Sequence, residues 1–144
     1  MKSTTLTAVD LLVVKNNKLL LGLRNNEPAK NYLFTPGCRT YKNETLNNAI
    51  QRVGQKELGI KIDLNKVKLV GVYDHIYPNN FLNNDFGTHY VVSAYSYEID
   101  NELDIKMDDQ HEKIEWISID DINENNLIHQ NVKNYIPNLK KNLK

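Results

Sequence analysis

Two apolar runs, residues 6–14 and 19–23, flank the polar tetrad Lys15-Asn16-Asn17-Lys18. Runs of β-forming residues joined by such a turn predict a hairpin. Asp10 sits in the middle of the first run, an acidic residue where a core residue would be expected. Residues 24–31 are polar, contain a proline and read as a loop. Residues 32–35 predict a short strand that ends at Pro36-Gly37. From Thr45 the apolar residues Leu46, Ala49, Ile50 and Val53 follow the i, i+3, i+4, i+7 spacing of one helix face, with Leu58 beyond them. Asn43 suits the N-cap and Gly59 the stop. Gly54 lies inside this helix at a cost of ~1 kcal/mol relative to Ala, so close packing is expected there.

Residues 67–73 and 89–99 predict strands, the second alternating and aromatic-rich with Tyr90, Tyr95 and Tyr97. Between them runs a polar loop from Ile76 to Thr88 that holds Phe81 and Phe86. Residues 114–119 predict a strand around Trp116. Asp120-Asp121 then opens a helix, and residues 132–143 predict a terminal helix interrupted by Pro137. No repeat, linker or composition break divides the chain. The expectation is a single α/β domain over residues 1–144, with helices covering a mixed sheet.

Length and composition agree with that reading. The 144 residues suit one hydrophobic core, and 40% apolar with 25% charged residues is ordinary for a soluble globular protein. Lys plus Arg (18) balances Asp plus Glu (18), so bulk charge gives no reason to expect nucleic acid or an anionic membrane as partner. A single cysteine, Cys38, excludes an internal disulfide and disfavours a thiolate zinc site. The N-terminus lacks the build of a secretory signal. No stretch reaches the roughly 18 apolar residues of a membrane span. A cytoplasmic protein is expected.

The chemistry concentrates between Pro36 and Ile60. A hard Mg²⁺ ion takes oxygen ligands and shares them with substrate phosphates. Glu57, near the helix end, supplies a carboxylate, and the Gly37 carbonyl, in a tight turn before the helix, supplies another oxygen. The segment resembles the Nudix box, a loop–helix–loop. Glu44, Arg52, Glu57, Gly59 and Ile60 match its pattern at the right spacing. Cys38 stands where the pattern has glycine, and Val53 and Lys56 stand where it has glutamates. The missing carboxylates suggest fewer metal ions than most Nudix enzymes use. They also remove the side chain that many of them use to activate water at phosphorus.

A box lacking those glutamates is similar to that of the GDP-mannose mannosyl hydrolase family. The likeness extends in order over roughly residues 5 to 135. It takes in Asp10, the run from Leu21 to Ala29, Phe34-Thr35-Pro36-Gly37, Gly71 through His75, Phe81 through Val92, and Gln110-His111 ahead of Trp116. The resemblance implies a Nudix α/β/α sandwich that hydrolyses a GDP-hexose to GDP and free sugar. Water attacks the anomeric carbon with inversion, as in inverting glycoside hydrolysis. Carried over by position, His111 is the general base, and Gly37, Glu57 and Gln110 hold one Mg²⁺ per subunit. Arg24, Arg39 and Tyr90 contact the diphosphate and steady the leaving oxygen. Asp10 and His75 bind or orient the sugar and leaving group. The resemblance also implies a homodimer whose N-terminal segment crosses to the partner.

Several of these residues have plainer readings. Without context, His111 is an exposed loop histidine, Glu57 a solvated carboxylate in a last helical turn, and Arg24 and Arg39 surface cations. On an alternating strand only one of His89 and Tyr90 faces the site, and Tyr90 is favoured. Arg52 is expected to brace Glu44 or Glu57, Cys38 to be inert at negative φ, and His129 to lie on the surface. Phe81 and Phe86 are the candidates to stack on guanine. Two other functions compete with the leading one. One is an ordinary Nudix pyrophosphatase attacking phosphorus, against which Val53 and Lys56 argue. The other is an inactive nucleotide-sugar sensor, against which Glu57, Gln110 and His111 together argue.

Overall fold

The computed structural model describes residues 5–24, 31–77, 88–100 and 111–143, and for His111 and Glu112 only the backbone. Gln110, Phe81, Phe86 and the run from Asn25 to Ala29 lie outside the described residues. The strands are β1 (Leu6–Lys15), β2 (Lys18–Arg24), β3 (Leu33–Phe34), β4 (Gly37–Arg39), β5 (Val67–Tyr77), β6 (Thr88–Glu98) and β7 (His111–Ser118). The helices are α1 (Leu46–Val53), α2 (Gln130–Lys133) and α3 (Ile136–Asn142). Seven strands form one sheet in the order β3-β2-β1-β6-β5, with β7 beside β2 and β4 beside β1. The β1–β6 pair is parallel and the others are antiparallel, so the sheet is mixed.

β1 lies in the interior of the sheet and is covered on both faces. That explains its near-continuous apolar run. Val9, Leu11 and Val13 face a layer closed by Ala49, Ile50 and Val53 of α1. Leu12 and Val14 face the other way, onto Val132, Tyr135, Ile136 and Leu139 of the C-terminal helices. The result is the expected α/β/α sandwich. Asp10 shares the α3 face with Leu12 and Val14 by strand alternation.

The predicted hairpin forms, with Asn16 and Asn17 at φ 53 and 62 in its turn. Asparagine is among the few residues that accept such angles. β1 and β2 stay paired only near this turn, at Val14–Leu19 and Lys15–Lys18. Further along, β4 takes the place beside β1, opposite Ala8, Val9 and Asp10, and the Leu11 N–H donates to the Pro36 carbonyl at 2.9 Å. The hairpin thus opens toward Asp10, and the chain from Phe34 to Arg39 fills the opening.

Several local expectations change. Gly37 does not sit in a tight turn: it starts β4 in extended pairing with Asp10. The N-cap of α1 is Thr45, whose side chain accepts from the Asn48 N–H at 3.1 Å, whereas Asn43 takes φ 68 in the preceding turn. Leu46 matches the helical spacing yet is exposed, so only Ala49, Ile50 and Val53 form the buried face. The terminal helix breaks ahead of Ile136 rather than at Pro137, which occupies the first turn of α3, where its missing N–H costs nothing.

α1 runs on into a π-helical turn, Gly54–Leu58, stopped by Gly59 at φ 70. Gly54 is required by packing, as expected. A Cβ there would lie 2.5 Å from Cγ1 of Ile62 and 3.0 Å from the Ile60 carbonyl oxygen. Ile62 is itself buried and cannot swing away. Overpacking of this kind costs about 1–3 kcal/mol, more than the ~1 kcal/mol that alanine gains in helix propensity. Gly54→Ala is therefore expected to lower the urea midpoint at an unchanged m-value. A raised midpoint would show that the 54–62 corner has slack.

Candidate active site

The box loop is fixed to α1 by one cation. Arg52 donates to both carboxylate oxygens of Glu44, at 2.8 and 2.9 Å, and to the Arg39 carbonyl at 2.7 Å. Its guanidinium lies 4.1 Å from the Tyr41 ring centroid. Glu44 also accepts from the Tyr41 N–H at 3.0 Å, and Arg52 holds its carboxyl down at about 2. Of the two partners expected for Arg52, Glu44 is the one bound.

The π-helical turn decides which box side chains face inward. Val53 is in the core with 1% exposure, Lys56 is exposed, and Glu57 is buried at 8% exposure. Glu57 accepts from the Gly37 N–H at 3.4 Å. π-helical turns recur at functional sites, and this one turns a carboxylate toward β4. Cys38 points to the α1 side, where its Sγ donates to the Ala49 carbonyl at 3.8 Å. Burial pushes its thiol up to about 11, so it is inert as expected. It is not among the residues of positive φ.

On the opposite face of the sheet, Asp10 is buried at the opening of the hairpin. Its Oδ2 accepts from the Tyr135 hydroxyl at 2.6 Å and from the Thr35 hydroxyl at 3.3 Å. Its Oδ1 lies against Gly37, where any Cβ would overlap it. The Tyr135 oxygen also meets His75 Nε2 at 3.0 Å. Burial raises the Asp10 carboxyl to about 6, against the pull of Tyr135, Thr35 and the Arg24 charge. Burial lowers His75 to about 4, with His129 adding to the effect and Asp74 opposing it. His75 is therefore a neutral imidazole at pH 7.

Aromatic rings continue from this cluster toward the surface. His75 and Tyr90 are opposite one another across β5 and β6, and the Tyr90 ring meets Tyr77 edge-on at 6.4 Å. His89 turns to the other face and pairs with Asp74 at 2.8 Å, so Tyr90 is the one of the two on the His75 side. His129 is half-buried, not on the surface. It caps α2 by accepting the Asn131 N–H at 3.0 Å and packs against Tyr32, Phe34 and Tyr77.

Of the expected site residues, the fold thus brings together Asp10, His75 and Tyr90 on one face, with Gly37 and Glu57 beside them, and the Arg24 charge acts on Asp10. Arg39 is exposed at the end of β4. The backbone of His111 is paired with Arg24, at the irregular end of the β2–β7 ladder. Gln110 is outside the described residues. Sequence reasoning missed Tyr135, Thr35 and Tyr77. Tyr135 did leave a signal. It stands with Val132, Ile136 and Leu139 on one apolar helical stripe, the only hydroxyl in it.

A mixed-sheet sandwich with a loop–helix carrying Glu44, Arg52 and Glu57 defines a class of metal-assisted hydrolases. The NUDIX domain family model matches residues 4–139, and the chain belongs to that family. Nudix hydrolases use divalent ions such as Mg²⁺ or Mn²⁺. The low-salt glycan biosynthesis protein Agl8 of Haloferax volcanii is 34% identical over 109 residues, which are 76% of this chain and 68% of that protein. The fold also superimposes on a MutT NUDIX hydrolase from Burkholderia pseudomallei, with TM-score 0.79 and 22% identity over 94% of this chain and 98% of the other. It matches the NUDIX domain of Shewanella oneidensis NrtR complexed with ADP ribose as well, with TM-score 0.73 and 16% identity over 98% and 90%. Among the described residues, no helix is long and apolar enough to cross a membrane.

Asp10 and His75 oppose each other in the pH dependence of stability. The folded Asp10 pKa is raised from 3.8 to about 6, so its contribution is complete below the lower value and is lost as pH rises to the upper. The folded His75 pKa is lowered from 6.5 to about 4, so its contribution is complete above 6.5 and is lost as pH falls to 4. The two slopes largely cancel between about pH 4 and 6.5. Relative to the parent, Asp10→Asn should make stability rise with pH across that window, and His75→Gln should make it fall. Urea titrations in chelator check this, and unchanged slopes in both variants would refute the assignment.

Proposed function

We propose that the chain hydrolyses a GDP-hexose, GDP-mannose or GDP-glucose, to GDP and free sugar by attack of water at the anomeric carbon with inversion. One observation carries this reading. Of the three positions where the Nudix pattern has glutamates after its arginine, Val53 is packed in the core, Lys56 faces solvent, and only Glu57 turns to Gly37. That leaves the box without the carboxylates that position water at phosphorus, and favours carbon as the electrophile. The Haloferax relative is named for glycan biosynthesis, a process that consumes activated sugars. The ADP ribose complex of the NrtR domain shows that this fold accommodates a nucleoside diphosphate sugar in that protein.

The donor set fits one Mg²⁺. Glu57, which accepts from the Gly37 N–H at 3.4 Å, and the Gly37 carbonyl would each offer an oxygen, and Gln110 and the diphosphate would supply more. Among the described residues no group of three or more His, Cys, Asp or Glu gathers. When bound, the ion would offset the charge that grows on the departing diphosphate. Arg24, Arg39 and Tyr90 supply further positive charge and hydrogen bonds to that group. Asp10 and the neutral His75 orient the hexose. His111, whose backbone is paired with Arg24, takes the proton from the attacking water. The same reading includes a homodimer.

Hydrolysis of GDP-mannose with Mg²⁺ in heavy-oxygen water tests the reaction. The label is expected in mannose, with GDP unlabelled. Label in GMP or mannose phosphate would instead establish an ordinary Nudix pyrophosphatase, and absence of turnover with GDP-mannose and then with other nucleotide sugars would favour the sensor. His111→Gln is expected to lower kcat by about 10²–10⁴-fold with little change in substrate binding. Unchanged turnover would remove His111 as the base.

A further inference from the structure

Tyr135 is held where its hydroxyl must choose between two acceptors. It is fully buried at the N-cap position of α3, with its ring edge-on to Tyr73 at 4.8 Å and tilted against His75 at 5.7 Å. The hydroxyl has one proton and two neighbours, Asp10 Oδ2 at 2.6 Å and His75 Nε2 at 3.0 Å. Two oxygens 2.6 Å apart need a hydrogen between them, and an ionised carboxylate has none to give. The Tyr135 proton therefore goes to Asp10. The Tyr135 oxygen can then only accept from His75, and a neutral imidazole has one N–H to place. Thr35 donates to the same Asp10 oxygen at 3.3 Å, a second hydrogen bond that rotation of the carboxylate away from Tyr135 would also give up.

We propose that Tyr135 is a positioning residue that orders a one-way hydrogen-bond chain, His75 to Tyr135 to Asp10, and so fixes His75 as the Nε2–H tautomer with Nδ1 kept as an acceptor. This deepens the role given to Asp10 and His75 in GDP-hexose hydrolysis and rests on that reading for its effect on turnover. His75 then offers an acceptor, not a donor, to a sugar hydroxyl. Asp10 is delivered with Oδ2 occupied and its other oxygen turned toward Gly37.

The tautomer is read without substrate or mutation of Tyr135. Protein labelled with ¹⁵N-histidine is examined at pH 8 by long-range ¹H–¹⁵N correlation, with His75 assigned by its loss in His75→Gln. A proton on Nε2 is expected, and a proton on Nδ1 would overturn the proposal whether or not GDP-mannose is the substrate. A kinetic cycle on GDP-mannose with Mg²⁺ then tests action through His75. Tyr135→Phe keeps the ring and is expected to lower kcat about 10-fold, the order of loss seen when an orienting partner is removed, with KM within about twofold. In the His75→Gln background the same change should cost less than about twofold. Full additivity of the two losses would show that Tyr135 serves only packing. The labelling experiment on the parent protein decides separately whether the proposed reaction holds.

Discussion

A carboxylate inside an apolar layer constrains everything around it. Asp10 shares its face of β1 with Leu12 and Val14, yet it carries a group whose charged form is costly to remove from water. The cost is met by donors from distant parts of the chain. Thr35 comes from the connector between β3 and β4, and Tyr135 from the N-cap position of α3, 125 residues away in sequence. Arg24, at the end of β2, adds its charge. Thr35 reaches Asp10 because the hairpin of β1 and β2 opens there and β4 takes the vacated edge, whereas Tyr135 comes down from the helical layer that covers this face. The opening in the sheet thus supplies the buried carboxylate with one of its donors.

Much of this architecture was readable from the spacing of apolar residues. The hairpin, the long strands and the box helix were placed by period and turn chemistry. These are local properties that tertiary packing reinforces. What was misread depended on partners far along the chain. Gly37 looks like a turn residue beside Pro36, but its glycine character serves close approach to Asp10, and nothing near it in sequence says so. Leu46 fits the helical stripe but lies at the solvent end of it, and Thr45 rather than Asn43 caps because Asn43 is spent on a left-handed turn.

The site divides along the same line. Asp10 stood out as an acid in an apolar run, and the spacing of Glu44, Arg52 and Glu57 pointed to a loop braced on a helix. Tyr135 did not stand out, because tyrosine is an ordinary core residue and its value here is one hydroxyl aimed at a residue 125 positions earlier. His129 was read as a surface residue for a similar reason. Its ring is enclosed by Tyr32, Phe34 and Tyr77, three segments that meet only in the folded sheet.

Two anchoring systems lie on opposite faces of the sheet, and they meet at a residue with no side chain. On the α1 side, Glu57 rests on the Gly37 N–H, with the box loop held rigid by Arg52. On the α3 side, Asp10 lies against Gly37 where a Cβ would stand. Close contact across the sheet at this point is possible because Gly37 presents only backbone, and because the π-helical turn swings Glu57 inward to reach it. A ligand that engaged both Glu57 and Asp10 would therefore have to bridge the two halves across β4. The spacing between those halves is set by the β1–β4 pairing and not by flexible side chains. A rigid spacing of that kind limits which ligands could reach both groups at once.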